Sequence, residues 1–396
     1  MKSVILVYSG GLDTSICIPL MREEYGYERI VTVTVDVGQP AEDIKQAAEK
    51  AAQMGTEHFT VDAKEEFAKE YCWASLRANG EYQGYPLSTA IARPIIAAKA
   101  VELANRLKIT SFAHGCTGKG NDQFRIEYTI RALCPQATIH APIREKNLTR
   151  SWEIDYAKKH NVPIQQSLEK IWSIDENLWG RSIEGGELEN PEKAPPEVIF
   201  QWTKGFETSG HTPREVKVAF SAGVPVSIDG EKTSPAQLVN RANQIAGDNG
   251  VGRIDVMEDR LLGLKVRENY ECPGAILLLA AHKALEALVL SREEQRFKRL
   301  VDQEWAQLAY SGLWWDPFKD DLDAFIEKTQ ERVEGEVTLR LFKGSLQVIG
   351  RKSPWALYSQ ELASFDTTTF EQNDATGMVK QFGLASRLYL SLKGKK

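Results

Sequence analysis

The sequence predicts an α/β protein: an N-terminal doubly wound parallel sheet, a second α+β domain and a C-terminal helical arm. Up to residue 165, β-branched runs alternate with helical patterns, which is typical of a parallel sheet covered on both faces. Beyond that point, a stretch rich in Pro, Gly and Glu leads into alternating runs separated by turn residues, which indicate antiparallel hairpins. We therefore predict domains at 1–165 and 166–365, followed by an arm at 366–396.

The first half contains five strand-like runs with helical patterns between them. The runs are SVILVYS (3–9), RIVTVTVDVG (29–38), HFTVDA (58–63), ITSFAHG (109–115) and TIHAPI (138–143). The helical patterns include ARPIIAAKAVELANRLK (92–108), NDQFRIEYTIRAL (121–133) and SWEIDYAKKHN (151–161). In such sheets, ligands bind beyond the carboxyl ends of the strands, at the point where the strand order reverses. The glycine-containing ends of the first, second and fourth runs are therefore candidate sites.

The second half mixes hairpins with long helices. Hairpins are predicted at 215–230 and 336–350, and long amphipathic helices at 275–310. Ser234-Pro235 and Asp316-Pro317 each supply a capping side chain and a proline for the first turn of a helix. The final stretch, 377–392, has a helical period and no apolar partner nearby in the sequence.

Composition narrows the class of protein. The 396 residues suggest roughly two domains, and 42% hydrophobic with 26% charged residues fits a folded soluble chain. A net charge of −6 argues against a nucleic-acid-binding protein. The most apolar stretch (275–290) carries charged residues and is shorter than the roughly 20 residues of a membrane span. Five cysteines without a CxxC pair, and no signal peptide, predict a cytoplasmic protein with reduced thiols.

The first candidate site is SGGLDTS (9–15), directly after the first strand. The N-terminus of a helix presents free N–H groups and a positive dipole end, which suit an anion. Gly10 and Gly11 allow close backbone approach, and Ser9, Thr14 and Ser15 add hydroxyl groups. The segment is neither a GxxxxGK[ST] nor a GxGxxG motif. Taken alone, a Ser-Gly-Gly turn is more often an ordinary tight connection than a phosphate-binding loop.

The second candidate site is HGCTGKGNDQFR (114–125). Its glycines delay the helix until Asn121, and Asn121 and Asp122 suit the capping of that helix. Asn121 and Arg125 are four residues apart, so they share a helix face. A glycine-rich loop before a capped helix is the simpler explanation. The density of polar groups, including Lys119, favours a ligand pocket.

These motifs resemble those of known enzymes. YSGGLDTS (8–15) after an N-terminal strand is similar to the PP-loop of the ATP pyrophosphatase superfamily, which has an adenine-nucleotide α-hydrolase-like fold. A wider set resembles the argininosuccinate synthase family over nearly the whole length. The set comprises DVGQ (36–39), ARP (92–94), HGCTGKGNDQFRIE (114–127), WSIDENL (172–178), GVGRIDVMEDR (250–260) and YECPG (270–274). The resemblance implies a nucleotide-binding domain, a synthetase and multimerisation domain, and a C-terminal oligomerisation arm.

The activity implied by the resemblance is an AMP-forming carbon–nitrogen ligation in arginine biosynthesis. ATP would activate citrulline as a citrullyl-adenylate, and aspartate would then displace AMP to give argininosuccinate. Mg²⁺ is implied without assigned ligands, as is a homotetramer, and neither nucleic acid nor a membrane is expected as a partner. The alternatives are another PP-loop adenylating enzyme, such as a tRNA-thiolating or amidotransferase-type synthetase, and a non-catalytic nucleotide-binding module.

The resemblance also assigns residues to each substrate. ATP is assigned to Val7, Tyr8, Ser9, Gly10, Gly11, Leu12, Asp13, Thr14, Ser15, Val35 and Gly115. Aspartate is assigned to Thr117, Asn121 and Asp122. Citrulline is assigned to Tyr85, Asn121, Arg125, Ser173, Ser182, Glu258 and Tyr270. Without the resemblance, the serines would fit turns equally well, the tyrosines would be read as core residues and Glu258 as a solvated carboxylate.

Three positions stay open at this stage. Arg93 is a candidate either to bind an anion or to pair with a carboxylate. Ala90 stands where the family commonly has a serine, so Ser88 or Thr89 is expected to supply the hydroxyl, or citrulline has one contact fewer. Asp13 is expected either to order the start of the first helix or to assist Mg²⁺.

Overall fold

The structure of the protein, a computed structural model, describes residues 1–163 and 172–394. Contacts between residues divide the chain into two units, 1–355 and 356–396. The predicted boundary at 165/166 lies outside the described residues. The predicted three-part division therefore stays a prediction.

The secondary structure alternates between strands and helices in the first half and groups its strands in hairpins in the second. The strands are β1 Ser3–Val7, β2 Arg29–Asp36, β3 Glu57–Asp62, β4 Glu81–Tyr82, β5 Tyr85–Pro86, β6 Ser111–Ala113, β7 Thr138–His140, β8 Ser173–Asn177, β9 Gly180–Glu184, β10 Arg214–Ser221, β11 Val224–Ile228, β12 Arg253–Asp259, β13 Lys265–Glu271, β14 Gly335–Phe342 and β15 Ser345–Lys352. The helices are α1 Leu12–Glu23, α2 Ala41–Gln53, α3 Lys64–Glu66, α4 Trp73–Arg77, α5 Thr89–Leu107, α6 Asp122–Leu133, α7 Pro142–Glu145, α8 Arg150–Lys159, α9 Pro235–Asp248, α10 Pro273–Val289, α11 Arg292–Ser311, α12 Pro317–Gln330, α13 Gln360–Ala363, α14 Ala375–Gln381 and α15 Leu384–Lys393.

Five strands of the first half form one parallel sheet in the order β3-β2-β1-β6-β7. Alternate residues of β1 face opposite sides, as the two-residue period of a strand requires. Ile5 and Val7 belong to one buried cluster, and Val4 and Leu6 to another. Both faces of the sheet are therefore covered, which explains the continuous apolar run. The predicted doubly wound α/β fold is confirmed.

The strand order of this sheet reverses between β1 and β6. After β3 the chain crosses to the other side of β1 and continues with β6 and β7. The carboxyl ends of β1 and β6 therefore meet at the switch point, where ligands of such sheets bind. Both glycine-rich loops singled out from the sequence begin there, since one follows β1 and the other follows β6.

The second half contains two antiparallel sheets, in the orders β12-β13-β9-β8 and β11-β10-β14-β15. The two predicted hairpins, β10-β11 and β14-β15, are confirmed and pair within the second of these sheets. Helix α9 begins at the predicted Ser234-Pro235, where Ser234 forms a reciprocal cap with Gln237. Asp316 caps α12 by accepting a hydrogen bond from the Phe318 N–H. The apolar stretch at 275–290 lies within the mostly buried α10, as a core helix should.

The unit 356–396 carries the predicted helical period as two helices, α14 and α15. Gly383 separates them, with a φ of +72° that favours glycine. Several large apolar side chains of this unit are exposed, among them Phe382, Leu388 and Leu392. Within residues 1–163 and 172–394, the structure contains no helix long and apolar enough to cross a membrane.

Candidate active site

The loop after β1 is a tight turn that requires glycine. Gly10 has a φ of +75°, and a Cβ atom there would lie 2.9 Å from the Cα atom of Ala47 on α2. Gly11 directly precedes α1 and, having no side chain, leaves the first N–H groups of the helix accessible. The Oγ of Ser9 accepts a hydrogen bond from the Gly11 N–H (3.3 Å) and lies 3.1 Å from the Oγ1 of Thr14. Polar groups therefore surround a helix N-terminus that suits an anion.

Other residues assigned to ATP fix the end of β1, from which this loop begins. The hydroxyl of Tyr8 lies 3.0 Å from the Oγ of Ser15, and both side chains are buried. Thr34 donates a hydrogen bond to the carbonyl oxygen of Tyr8 at 2.7 Å, which ties the end of β1 to β2. Val7 and Val35 bury their side chains in the core, so only their backbone atoms can face a nucleotide.

The loop also contacts a lysine that the sequence analysis did not single out. Lys50 on α2 donates a hydrogen bond from Nζ to the carbonyl oxygen of Gly10 at 2.9 Å. Because Lys50 lies 40 residues from Gly10 along the chain, no local sequence pattern connected the two. The ammonium group adds positive charge beside the turn, as a phosphate-binding loop needs.

Asp13 forms an ion pair at the start of α1. Its Oδ1 atom lies 2.8 Å from the Nη1 atom of Arg150, the first residue of α8. Glu153, one turn further along α8, is buried nearby. Burial and the neighbouring negative charge of Asp13 raise the pKa of Glu153 to about 8, and the charge of Arg150 only partly offsets them. Asp13 thus helps to dock α8 onto the turn between β1 and α1.

We expect Glu153→Gln to stabilise the protein at alkaline pH. Because the pKa of Glu153 is raised in the folded state, its contribution to stability is present below pH 4.5 and is lost as the pH rises through 8. Glutamine cannot ionise, so the variant should gain about 1 kcal/mol or more over the wild type at pH 9, and little at pH 4.5. Thermal melts across this pH range measure the difference. Asp155→Asn, which changes an exposed carboxylate on the same helix, is the control; an equal gain in both variants would contradict the assignment.

The loop after β6 packs against the first loop. A Cβ atom on Gly115 would lie 2.9 Å from the carbonyl carbon of Asp13 and from the nitrogen of Thr14. These are backbone atoms of α1, so the contact cannot be relieved by moving a side chain. Glycine at this position therefore lets the two loops meet, as their assignment to one nucleotide site requires.

Helix α6 begins after this loop without the predicted cap. Asn121 occupies the position before the helix but makes no capping hydrogen bond from its side chain, so that prediction is wrong. Instead, its Nδ2 donates to the hydroxyl of Tyr310 at 2.8 Å, and its Oδ1 accepts from the Leu261 N–H at 3.1 Å. Long-range contacts with α11 and with the turn between β12 and β13 take this side chain away from its own helix.

Asp122 lies between two arginines. Its Oδ2 accepts from the Nε of Arg93 at 2.9 Å, and its Oδ1 accepts from the Nη1 of Arg125 at 3.1 Å. Arg93 also pairs with Asp175 of β8 at 2.8 Å. Burial raises the pKa of Asp122, but the charges of Arg93 and Arg125 outweigh it and hold the pKa below its usual value. Arg93 therefore pairs with carboxylates, the second of the two roles left open.

Four residues assigned to citrulline share one face of the β12-β13-β9-β8 sheet. They are Ser173, Ser182, Glu258 and Tyr270. Side chains alternate along a strand, so paired residues and residues two apart lie on the same face. Tyr270 pairs with Ser182, Ser173 pairs with Glu184, and Glu258 pairs with Val266. Because Glu184 is two residues from Ser182 and Val266 is four residues from Tyr270, all four side chains lie on one face. The sequence could not show this because the pairing of β9 with β13 joins segments far apart in the chain.

Glu258 is a buried carboxylate held by two tyrosines. Its Oε2 accepts from the hydroxyl of Tyr270 at 2.8 Å, and its Oε1 accepts from the hydroxyl of Tyr310 at 2.7 Å. Within the described parts of the chain, no lysine, arginine or histidine forms an ion pair with it. Tyr85 stacks on Tyr270 with the ring centroids 4.1 Å apart. Burial, followed by neighbouring negative charge, raises the pKa of Tyr85 and of Tyr270, so both hydroxyls stay protonated.

The remaining predicted residues lie on the loop before α6 or at the start of α5. Thr117 and Lys119 are exposed on the loop before α6. Ala90 is buried in α5. The Oγ of Ser88 and the Oγ1 of Thr89 are both buried with no hydrogen-bond partner among the described residues, so each fits the role of the missing hydroxyl equally well. Ser88 is buried beside Gly180, whose Cβ would lie 3.1 Å from it.

The fold and this site define a nucleotide-binding enzyme of the PP-loop class, in which glycine-rich loops meet at the switch point of a parallel sheet. Residues 3–163 match a family model described as the arginosuccinate synthase N-terminal HUP domain, and residues 172–389 match that of the C-terminal domain. The chain therefore belongs to the argininosuccinate synthase family, and the resemblance seen in the sequence is confirmed.

Relatives support the same assignment over the full length. An argininosuccinate synthase of Methanocaldococcus jannaschii is 57% identical over 396 residues, which is all of both chains. Those of Methanosarcina barkeri and Methanopyrus kandleri are 55% and 51% identical, and each alignment covers all of this chain and at least 99% of the relative. The chain is thus similar throughout to ligases of arginine biosynthesis.

Proposed function

We propose that this protein ligates L-citrulline and L-aspartate to argininosuccinate with ATP, releasing AMP and pyrophosphate. One observation carries the proposal: the buried Glu258 has two hydroxyl donors and no ion-pair partner of its own among the described residues. An ammonium group is the natural partner of such a carboxylate, because a buried charge without one is costly. The family membership of the whole chain makes citrulline the ligand to expect there.

Arg125 suits the other end of an amino acid. Its Nε donates to the carbonyl oxygen of Tyr310 and its Nη1 to Asp122, while no bond from Nη2 is seen within the described residues. A guanidinium group with a free edge binds carboxylates well. Arg125 and Glu258 both contact Tyr310, so their opposite charges match a zwitterion held across that side chain.

The proposed reaction has two steps. The ureido oxygen of citrulline attacks the α-phosphorus of ATP, the bond to the bridging oxygen breaks, and pyrophosphate leaves. The aspartate amine then attacks the ureido carbon, loses a proton and expels AMP. The N–H groups at the start of α1, with Ser9 and Thr14, would hold the departing pyrophosphate. Lys50 would add positive charge, so positioning and charge stabilisation supply the catalysis.

Mg²⁺ fits this site through the nucleotide rather than through a protein cage. Within 1–163 and 172–394, no group of three or more His, Cys, Asp or Glu side chains could hold a metal ion. Mg²⁺ in nucleotide enzymes is usually bound by phosphates, waters and one or two carboxylates. Asp13, at the start of α1, is the carboxylate best placed to serve, and the ion would supply charge neutralisation of the phosphates.

Product analysis tests the proposal. The protein is incubated with ATP, Mg²⁺, citrulline and aspartate, and nucleotides and amino acids are separated. We expect AMP, pyrophosphate and argininosuccinate in equal amounts, with no AMP when citrulline is omitted. ADP with phosphate, or AMP formation that ignores citrulline, would reject the assignment.

The burial of four of the five cysteines, with only Cys116 half-buried, disfavours a tRNA-thiolating enzyme, which would need a reactive thiol. All five lie in the described part of the chain, and each is unpaired. Burial raises the pKa of the Cys17, Cys72 and Cys272 thiols, which makes them poor nucleophiles. Free thiols also agree with the proposed cytoplasmic location.

We propose, in addition, that the protein is a homotetramer, as the family resemblance implies. Apolar side chains exposed on and between α14 and α15, including Met378, Phe382 and Leu388, support this proposal because such surfaces are usually covered in an assembly. Light scattering on the full chain in solution measures the number of subunits.

A further inference from the structure

Tyr310 lies at the last turn of α11, outside every motif that identified the site. Its side chain is fully buried, and α11 ends one residue later at Ser311, followed by Gly312 with a φ of +81°. A Cβ atom on Gly312 would lie 2.6 Å from the Cα of Arg125. The end of α11 is therefore pressed against α6, the helix that carries Arg125.

The hydroxyl of Tyr310 joins two residues of the predicted citrulline site. It accepts a hydrogen bond from the Nδ2 of Asn121 at 2.8 Å and donates to the Oε1 of Glu258 at 2.7 Å. The carbonyl oxygen of Asp259 is also within reach, at 2.9 Å. That oxygen has its own donor in the hydroxyl of Tyr82, at 2.9 Å. The single hydrogen of Tyr310 is thus left for the carboxylate.

The rest of Tyr310 holds a third residue. Its carbonyl oxygen accepts from the Nε of Arg125 at 3.0 Å, and the guanidinium carbon lies 5.1 Å from the centre of its ring. The carbonyl belongs to the C-terminal turn of α11, where the helix dipole favours a cation. Tyr82 stacks on the ring of Tyr310 with the centroids 3.6 Å apart, which restricts the tilt of the ring.

We propose that Tyr310 is the positioning residue of the citrulline site, holding Asn121, Arg125 and Glu258 in one arrangement. This inference rests on the proposed function, because it concerns the same site. The hydroxyl of Tyr310 fixes the position of one Glu258 oxygen and of the Asn121 amide. Its carbonyl oxygen and ring fix the position of the Arg125 guanidinium group. The three groups come from α6, its preceding loop and β12, and Tyr310 contacts all of them.

The hydroxyl is chemically suited to this task. Burial, followed by the charge of Glu258, raises the pKa of Tyr310, so the group keeps its hydrogen at any working pH. A protonated phenol orients the carboxylate without neutralising it. The negative charge therefore stays available for the ammonium group of a substrate.

Tyr310→Phe tests the proposal because it removes the hydroxyl and keeps the ring. We expect the KM for citrulline to rise about tenfold or more and the KM for ATP to stay within about twofold of wild type, with a smaller rise in the KM for aspartate, to which Asn121 is also assigned. Tyr71→Phe is the matched control. Tyr71 is another buried tyrosine and stacks on Trp314. The hydroxyl of Tyr71 makes no hydrogen bond within the described residues. Its variant should keep all three KM values.

If Tyr310→Phe does not fold, the variant Tyr82→Phe tests the same proposal. Tyr82→Phe removes the donor of the Asp259 carbonyl, which then competes for the hydrogen of Tyr310. The citrulline KM should rise about threefold with an unchanged melting temperature. An unchanged citrulline KM in the folded variants, or an equal rise in all three KM values, overturns the inference. A wild-type protein without citrulline-dependent AMP formation would instead overturn the proposed function.

Discussion

Gly115→Ala is expected to lower kcat/KM for ATP about a hundredfold. The added Cβ would lie 2.9 Å from backbone atoms of Asp13 and Thr14, closer than van der Waals contact permits. Since neither partner is a flexible side chain, the loop after β6 and the start of α1 must move apart. Misplacing reacting groups by about 1 Å can cost on the order of a hundredfold in rate. The nucleotide lies, in our proposal, against both of these segments.

The matched control is Gly120→Ala in the same loop. There the nearest atom to the new Cβ is the Oγ1 of Thr117 at 3.9 Å, an ordinary contact. Steady-state kinetics with varied ATP should therefore leave Gly120→Ala within about threefold of wild type. Melting curves show whether both variants fold. A folded Gly115→Ala with the wild-type KM and kcat would mean that the nucleotide does not use the junction of these loops.

The sequence predicted the features that depend on local pattern. The alternation of runs and helices up to residue 165 predicted the parallel sheet, because the central strands β1 and β2 are buried on both faces. The glycines at 10, 11 and 115 predicted loops where the backbone approaches closely. The structure shows the same reason in space, since a Cβ on Gly10 or Gly115 would meet the backbone of a neighbouring helix.

Features that depend on distant pairings could not be predicted from local pattern. Tyr310 is 52 residues from Glu258 and 189 from Asn121, and its own helix reads as an ordinary amphipathic one. The cap prediction for Asn121 was wrong for the same reason: a tyrosine from α11 and an N–H group from the β12-β13 turn take up its side chain. The local preference of a residue for capping is overridden where a long-range hydrogen bond satisfies its buried side chain.

The resemblance to a family supplied residue assignments that the residues themselves did not. Ser173 and Ser182 looked like turn residues, and they stand on strands whose register aligns them with Glu258 and Tyr270. Register is set by pairing between β9 and β13, which are separated by some 80 residues of chain containing a further hairpin and a helix. The structure gathers these residues on one face, and their roles in binding stay predictions.

Glu258→Gln is expected to lower kcat/KM for citrulline about a hundredfold. The amide keeps the shape of the side chain and can still accept from one tyrosine, but it has lost the negative charge. Removing one member of a buried, hydrogen-bonded charge pair typically costs about 2–5 kcal/mol, and a tenfold change corresponds to about 1.4 kcal/mol. The kinetic parameters for ATP should change far less, because in our proposal Glu258 contacts only citrulline.

Glu268→Gln provides the comparison, since Glu268 is another buried glutamate on the same face of the same sheet. Glu268 accepts a hydrogen bond from Arg260 at 2.8 Å and has none to a residue assigned to citrulline within the described parts of the chain. Burial, followed by the charges of Glu184 and Glu258, raises the pKa of Glu268 against the opposing effect of Arg260. We therefore expect the citrulline kinetics of this variant to stay within about threefold of wild type. Equal losses in both variants would show that any buried glutamate of this sheet matters only for folding. A loss confined to Glu258→Gln would identify its charge as the group that recognises the substrate ammonium.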